Sequence, residues 1–199
     1  MMTRGASSTA RGGETRSALL GVAAGLLEEG GMGAVTLRAV GDRAGVSRQA
    51  PYNHFSDKAA LLGALAARYL GRLDEEMSGA AGEAGENAFE ALGAMTVAYV
   101  RFALESPSRY RLIGREMSGP RLEVHEAARA VHERFVRTVG ACQEAGELPG
   151  GDPEELAAIV FATTHGAVEL ALSGHTEEEK GLGDPARLVR RLLDRLRRG

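Results

Sequence analysis

The stretch from Thr36 to Lys58, TLRAVGDRAGVSRQAPYNHFSDK, constrains this chain more than any other, because it spaces two short helices around a tight turn. The Thr36 hydroxyl is placed to accept from orphan amides at the start of the first helix, and Leu37, Val40 and Ala44 then recur on one helical face. Gly45 ends that helix, since a residue without Cβ turns there at low cost, and Val46 follows as a buried apolar pin in the angle between the helices. Ser47 is the expected cap of a second helix, Arg48 to His54, in which Pro51 falls at the end of the first turn, where its missing N–H costs less than in mid-helix. That helix presents Arg48, Gln49, Asn53 and His54, a set able to hydrogen-bond base edges and phosphates in a major groove. Ser56 or Asp57 then caps a long third helix. Lys58 sits at the positive end of that helix, a poor place for a cation, in a chain whose only other lysine is Lys180; a bound phosphate explains it. On this reading Arg48, Gln49 and Asn53 meet base edges, and Thr36, Ser47, Tyr52, His54 and Lys58 meet phosphates.

A net charge of −3 argues against a nucleic-acid partner until its distribution is considered. Up to residue 72 there are nine Lys and Arg against five Asp and Glu; the rest of the chain has fifteen against twenty-two. The positive half is therefore the half with the helix-turn-helix, as expected of a reading module joined to an acidic body. The 199 residues suffice to bury a core, and 27 glycines, no tryptophan and few aromatics suit closely packed helices rather than a β-sandwich. Cys142, the single cysteine, excludes an internal disulfide and a cysteine metal cluster, and reads as a small buried hydrophobe. The longest nearly apolar run, Leu156 to Leu172, is interrupted by His165 and Glu169 and is expected to be a buried helix rather than a membrane span. No secretory signal is visible at the amino terminus, which leaves the cytoplasm as the default location.

Taken in order, residues 1–13 read as a polar, Gly-rich disordered tail whose Arg4 and Arg11 could touch DNA. Residues 14–57 form the helix-turn-helix domain, braced by a helix from Glu14 to Glu29 that Gly30 and Gly31 terminate. Residues 58–78 are a connecting helix with Leu61, Leu62, Leu65, Tyr69 and Leu73 on one face. The small-residue segment GAAGEAGE, 79–86, is the domain boundary, and residues 79–199 form an all-α body. Its helices are expected at 87–105, 107–115, 121–145, 153–173 and 185–198. Ser106-Pro107, Asp152-Pro153 and Asp184-Pro185 mark three of the starts, and Asp152 with Glu155 has the spacing of a capping box. The helix from 153 is apolar nearly all round, and the helix from 185 carries a leucine stripe on a basic background. Together they suggest a four-helix dimer seam built from Leu156, Val160, Leu188, Leu192 and Leu196.

The order of a capped helix, Ala-Gly-Val-Ser, Tyr52-Asn53-His54-Phe55 and Lys58 resembles the amino-terminal domain of TetR-family transcriptional repressors over residues 15–65. Further on, FATTHGAVELALSG, 161–174, resembles the Trp-His-Gly signature of one class of effector domains in that family, with Thr164 in place of the tryptophan; Tyr110-Arg111-Leu112-Ile113 also looks like that class. The resemblance implies an all-α fold, a homodimer, double-stranded operator DNA as partner, release by a small-molecule effector, repression rather than activation, and no enzymatic activity or cofactor.

Such a body needs an apolar pocket with a few polar groups. Met95, Tyr99, Phe102, Tyr110, Phe135 and Cys142 are the candidates for the apolar part, with Thr164, His165 and Glu169 for the polar part. Singly, each aromatic is more often core than ligand contact, and only the group carries the reading. His125 and His132 share a helical face but lack a third ligand, so no metal is assigned. His165 with Glu169 could make an acid/base pair, but no nucleophile, phosphate loop or paired carboxylates accompany it. The alternatives are an all-α enzyme or small-molecule carrier, which Arg48, Asn53 and Lys58 disfavour, and an architectural DNA-binding dimer without an effector.

Overall fold

The computed structural model describes the backbone of residues 5–197 and the side chains of residues 12–197 apart from residue 180. Among these it contains eight α-helices and two short 3-10 turns, and no strand: α1 Gly5–Ala34, α2 Leu37–Ala44, α3 Lys58–Glu83, α4 Ala88–Glu105, α5 Pro107–Met117, α6 Leu122–Glu144, α7 Pro153–Leu172 and α8 Pro185–Leu196. The described residues pack as two compact units. One holds those up to Tyr69 together with Ser108–His125, and the other holds Leu70–Pro107 and those from Glu126 onward. The packing division falls inside α3, and most of α5 belongs to the amino-terminal unit.

In that first unit α1 begins at Gly5, so residues 5–13 of the expected tail continue the helix; residues 1–4, including Arg4, lie outside the described residues. No proline interrupts the segment, and its interior glycines, Gly12 and Gly13, cost a helix only about 1 kcal/mol each. Gly30 and Gly31 end the regular run of α1 as their sequence dictates: both leave helical geometry, Gly31 with φ 65 and ψ −169, a conformation open to glycine almost alone, and a short helical segment follows to Ala34. Leu19, Leu20, Ala23 and Leu27 are buried on the inner side of α1. Arg68 of α3 donates to the Ser17 carbonyl at 3.2 Å, and Arg109 of α5 lies 4.0 Å from Glu28 with its guanidinium 5.2 Å from the Tyr69 ring centroid.

The second unit is built on α4, α7 and α8, which pack on one another. Leu92, Met95 and Phe102 of α4 and Val189 and Leu193 of α8 are buried to within 1%. Asn87, Asp152 and Asp184 cap α4, α7 and α8 by accepting from the amides of Glu90, Glu154 and Arg187. Asp152 therefore caps two residues on, and the box with Glu155 is not used. The boundary segment is narrower than expected, because α3 runs on through Gly79 and Gly82 and stops only near Gly85, where φ is 82. Two isolated glycines among alanines weaken a helix without breaking it; a left-handed residue breaks it. Within this unit Arg134 of α6 makes a bidentate pair with Asp74 at 2.6 and 2.7 Å and also donates to Ser78 Oγ at 3.1 Å. The bonds from Arg134 chiefly hold the Asp74 carboxyl below its usual range.

Candidate nucleic-acid interface

Thr36 caps α2 through Oγ1, which accepts from the Ala39 amide at 3.1 Å, and Gly45 ends α2 in the left-handed region with φ 66. The first half of the reading head is thus built as its sequence dictates, with Leu37 and Val40 buried. The second half differs. In place of an α-helix from Arg48 to His54 there is a series of turns closing in a 3-10 turn, Pro51–Asn53. Pro51 is the physical reason, since it has no N–H to return to the Ser47 carbonyl; that carbonyl accepts the Ala50 amide instead, at 2.9 Å. The Asn53 amide is shared between the Gln49 and Ala50 carbonyls at 3.3 and 3.2 Å, and Phe55 closes on Pro51 at 2.9 Å. Ser47 contributes its carbonyl here rather than a side-chain cap, and Val46 is half-buried rather than a buried pin.

What fixes the turn is Pro51 itself. Its ring is buried, and a Cβ added to Gly41 of α2 would stand 3.1 Å from Pro51 Cγ, so the two elements meet at a distance that suits glycine. Phe55 is 3% exposed and lies under the Arg16 guanidinium of α1, 5.3 Å from the ring centroid. With Pro51 and Phe55 turned inward, Ser47, Arg48, Gln49, Tyr52 and Asn53 are exposed, Tyr52 by 48%. His54 and Thr36 are half-buried, the His54 ring tilted against Phe55 at 6.4 Å.

The cations here have different commitments. Arg43 is held by Glu29 in a bidentate pair, Nη2 to Oε1 2.6 Å, which lowers the Glu29 pKa; Arg38 lies 3.7 Å from Asp42. Arg48 has no ion pair among the described residues. Asp57, not Ser56, caps α3: its Oδ1 accepts the Ala60 amide at 2.7 Å, and that bond chiefly holds its carboxyl below the ordinary range. Lys58 is half-buried with Nζ 3.5 Å from the Gly33 carbonyl, at the edge of hydrogen-bonding distance. Sequence reasoning missed Arg16, Glu29 and Arg43 as supports of the head, since only the fold brings α1 against α2 and Phe55.

The residues assigned to an effector pocket divide. Tyr110 is buried on α5 in the first unit, whereas Met95, Tyr99, Phe102, Phe135, Cys142, Thr164, His165 and Glu169 belong to the second. In the second unit the Tyr99 hydroxyl and His165 Nδ1 are hydrogen-bonded at 3.2 Å. Phe161, which sequence reasoning passed over, is the hub: it stacks on His165 at 5.8 Å and meets Tyr99 and Phe135 edge-on at 5.8 and 5.9 Å. Its i, i+4 spacing to His165 was the available signal. Thr164 is fully buried and donates to the Val160 carbonyl at 2.7 Å, so its hydroxyl is already used. Glu169 is exposed. Burial raises the Cys142 thiol to about 11, which leaves it unreactive.

The seam residues divide too. Val160, expected at a dimer contact, is fully buried within the chain, because it shares the inner side of α7 with Ala157, Thr164 and Val168. Leu156, Leu188, Leu192 and Leu196 are half-buried. Nor is α7 the buried helix its composition suggests: its apolar window, of mean hydropathy 1.3, is only 28% buried, with Ile159 49% and Leu170 36% exposed.

A capped α2, a left-handed glycine, a short reading turn with exposed polar side chains and an Asp-capped α3 define a helix-turn-helix DNA-binding protein of the all-α regulator class. The family model for bacterial regulatory proteins of the tetR family matches residues 19–65, and that for the tetracyclin repressor-like C-terminal domain matches residues 92–196, more than half the chain. The chain belongs to the TetR family of transcriptional regulators. A protein of unknown function from Rhodococcus sp. RHA1 is 33% identical, with a TM-score of 0.80 over 92% of this chain and 93% of that one. Two more distant structures share the fold: a TetR-family transcriptional regulator from Pectobacterium atrosepticum (23% identity, TM-score 0.77, 100% and 99% of the two chains) and the fatty acid degradation regulator FadR from Bacillus halodurans (16%, 0.69, 91% and 93%). No curated protein matches the chain.

Proposed function

We propose that this regulator is a cytoplasmic, non-catalytic repressor that binds operator DNA as a homodimer and is released by a small, uncharged, largely apolar effector. The observation that carries the DNA reading is the fixed turn from Ser47 to Asn53, which exposes Arg48, Gln49, Tyr52 and Asn53 while Pro51 and Phe55 anchor it. Arg48, Gln49 and Asn53 are assigned to base edges, and Thr36, Ser47, Tyr52, His54 and Lys58 to phosphates. Residues 14–57 serve as the reading head, 58–78 as the connecting helix and 79–199 as the body. The exposed apolar side of α7, with Leu188 and Leu192 of α8, is the surface a second copy covers, which places two reading turns on one duplex. Selecting bound sequences from random DNA tests this directly. A two-fold symmetric site with half-sites about one helical turn apart, bound with affinity that falls as salt rises, is the expected result; no enrichment overturns it.

The effector is assigned to the Tyr99, Phe161 and His165 group, whose paired hydroxyl and imidazole offer hydrogen bonding among aromatic rings. One observation favours a second reading, a DNA-binding dimer without an effector: Met95, Phe102, Phe135 and Cys142 are each buried to 1% or less, packed as a core is packed.

A further inference from the structure

The four arginines of α8 and Arg197, which follows it at the C-cap, have two kinds of environment. Arg190 and Arg197 are engaged by acidic partners, Arg197 while remaining exposed: Arg190 Nη2 donates to both Glu90 carboxylate oxygens at 2.9 and 2.8 Å, Arg197 reaches Glu147 at 2.8 Å, and both guanidinium groups lie over the Phe89 ring, at 5.5 and 4.4 Å. A Cβ on Gly93 would stand 2.5 Å from Arg190 Nη1, so the helix is seated closely. Arg187, Arg191 and Arg195 instead are exposed and make no ion pair among the described residues. Four apart, they form one stripe, and it runs beside the half-buried Leu188 and Leu192.

The outer side of α7 has the opposite charge. Glu155 and Glu169 are exposed, and neither has an ion pair among the described residues. At 100° per residue they share a face with Ala158, Ile159, Ala162 and Gly166, the exposed or half-exposed apolar side. The small residues let another helix approach closely. Two adjoining surfaces of one unit therefore offer an apolar face edged by unpaired carboxylates and a leucine edge flanked by unpaired guanidiniums.

We propose that these surfaces are complementary halves of a self-recognition device: in the dimer, the Arg187, Arg191 and Arg195 stripe of each protomer pairs with Glu155 and Glu169 of a second copy of this chain. The inference rests on the dimer seam proposed above, and adds what selects the partner. In a two-fold seam each cross-pair occurs twice, so complementary charge rewards this chain's pairing with itself, and like charges penalise regulators that share the apolar pattern but not the charges. Pairing of Arg190 and Arg197 with Glu90 and Glu147 leaves the other three as the ones available for this.

The test uses the full chain and two charge-reversed variants, Arg187→Glu/Arg191→Glu/Arg195→Glu and Glu155→Lys/Glu169→Lys, measured by sedimentation equilibrium in 0.15 M NaCl after circular dichroism has verified helix content. Each variant alone should dimerise at least tenfold more weakly than wild type, and their mixture should form the heterodimer in preference to either homodimer. Variants that both dimerise as wild type does, and mix statistically, overturn the proposal. Should the glutamate stripe unfold an already acidic body, Arg187→Gln/Arg191→Gln/Arg195→Gln replaces it: its dimerisation constant should vary little between 0.05 and 0.5 M NaCl while that of wild type weakens, and an unchanged salt dependence overturns the pairing. A wild type that stays monomeric, or a Leu192→Glu variant as dimeric as wild type, removes the seam itself and is thereby distinguished from failure of the charge code.

Discussion

In the proposed function single residues carry the DNA reading, and they separate by what each is assigned to. Asn53 is exposed on the reading turn, and its assignment to a base edge means that Asn53→Ala should flatten sequence preference, by about 1–3 kcal/mol at one base pair, in a competition between operator and point-mutated operators. Lys58→Ala should weaken all sequences alike and reduce the slope of log affinity against log salt by about one; an unchanged slope would show that its hold on the Gly33 carbonyl is its whole role. Gly31 is a residue of the opposite kind, with no neighbour to clash with and a backbone that other residues avoid. Gly31→Ala should cost about 1–3 kcal/mol in denaturant unfolding, all from the main chain. Of these, the places of Asn53 on the reading turn and Lys58 at the start of α3 were legible in the sequence, because both follow from spacing along the motif. Val160 was misjudged for the converse reason: on a helix apolar nearly all round, composition does not say which side the rest of the chain covers.

Elements were legible where a cap or a breaker is local. The starts of α4, α7 and α8 follow from Asn87, Asp152 and Asp184, and the end of α2 from Gly45, all side-chain or φ effects within three residues. The reading turn was not, since Pro51 inside a short helix either kinks it or tightens it into a 3-10 turn, and the ring's seat on Gly41 decides which. Long-range pairs were hidden as well, the Asp74–Arg134 link between α3 and α6 among them. Its titration follows from the direction of the shift: the folded Asp74 carboxyl sits below its unfolded value of about 3.9, so its stabilisation is complete above the unfolded pKa and is lost as pH falls through the lower folded one. Thermal unfolding followed below about pH 4 should show a smaller acid-dependent loss in Asp74→Asn than in wild type. At neutral pH that variant should be less stable by on the order of 1 kcal/mol.

At the scale of the whole molecule the predictions concern two copies and two ligands. Leu192 is half-buried on α8, and Leu192→Glu would put a charge into a seam where each leucine is worth about 1.5–3 kcal/mol if fully covered. The variant should be monomeric at micromolar concentration and bind operator poorly, because one reading turn alone forfeits the contacts of the second. Release by an effector is reciprocal and, unlike simple competition for the protein, levels off at saturating ligand because the coupling is finite. A compound found by thermal shift that weakens operator binding by a coupling of about 1–3 kcal/mol must itself be bound more weakly, by the same factor, when operator is present. Compounds that bind and leave operator affinity unchanged would favour the effector-free dimer. Tyr99→Phe gives a second check, since loss of the hydroxyl that meets His165 should lower effector affinity and leave DNA affinity as it was.

The separation of Pro51 and Phe55 from Arg48, Gln49, Tyr52 and Asn53 also governs how the specificity of such a protein can change over generations. On the proposed assignment, substitutions at the outward positions alter the message read from DNA without touching what holds the turn, so they should leave stability nearly unaffected. Lineages descended from one ancestor can therefore drift to new operators one base at a time while keeping the same proline, glycine and phenylalanine beneath. A designer seeking a regulator for a chosen site would randomise those same four positions first.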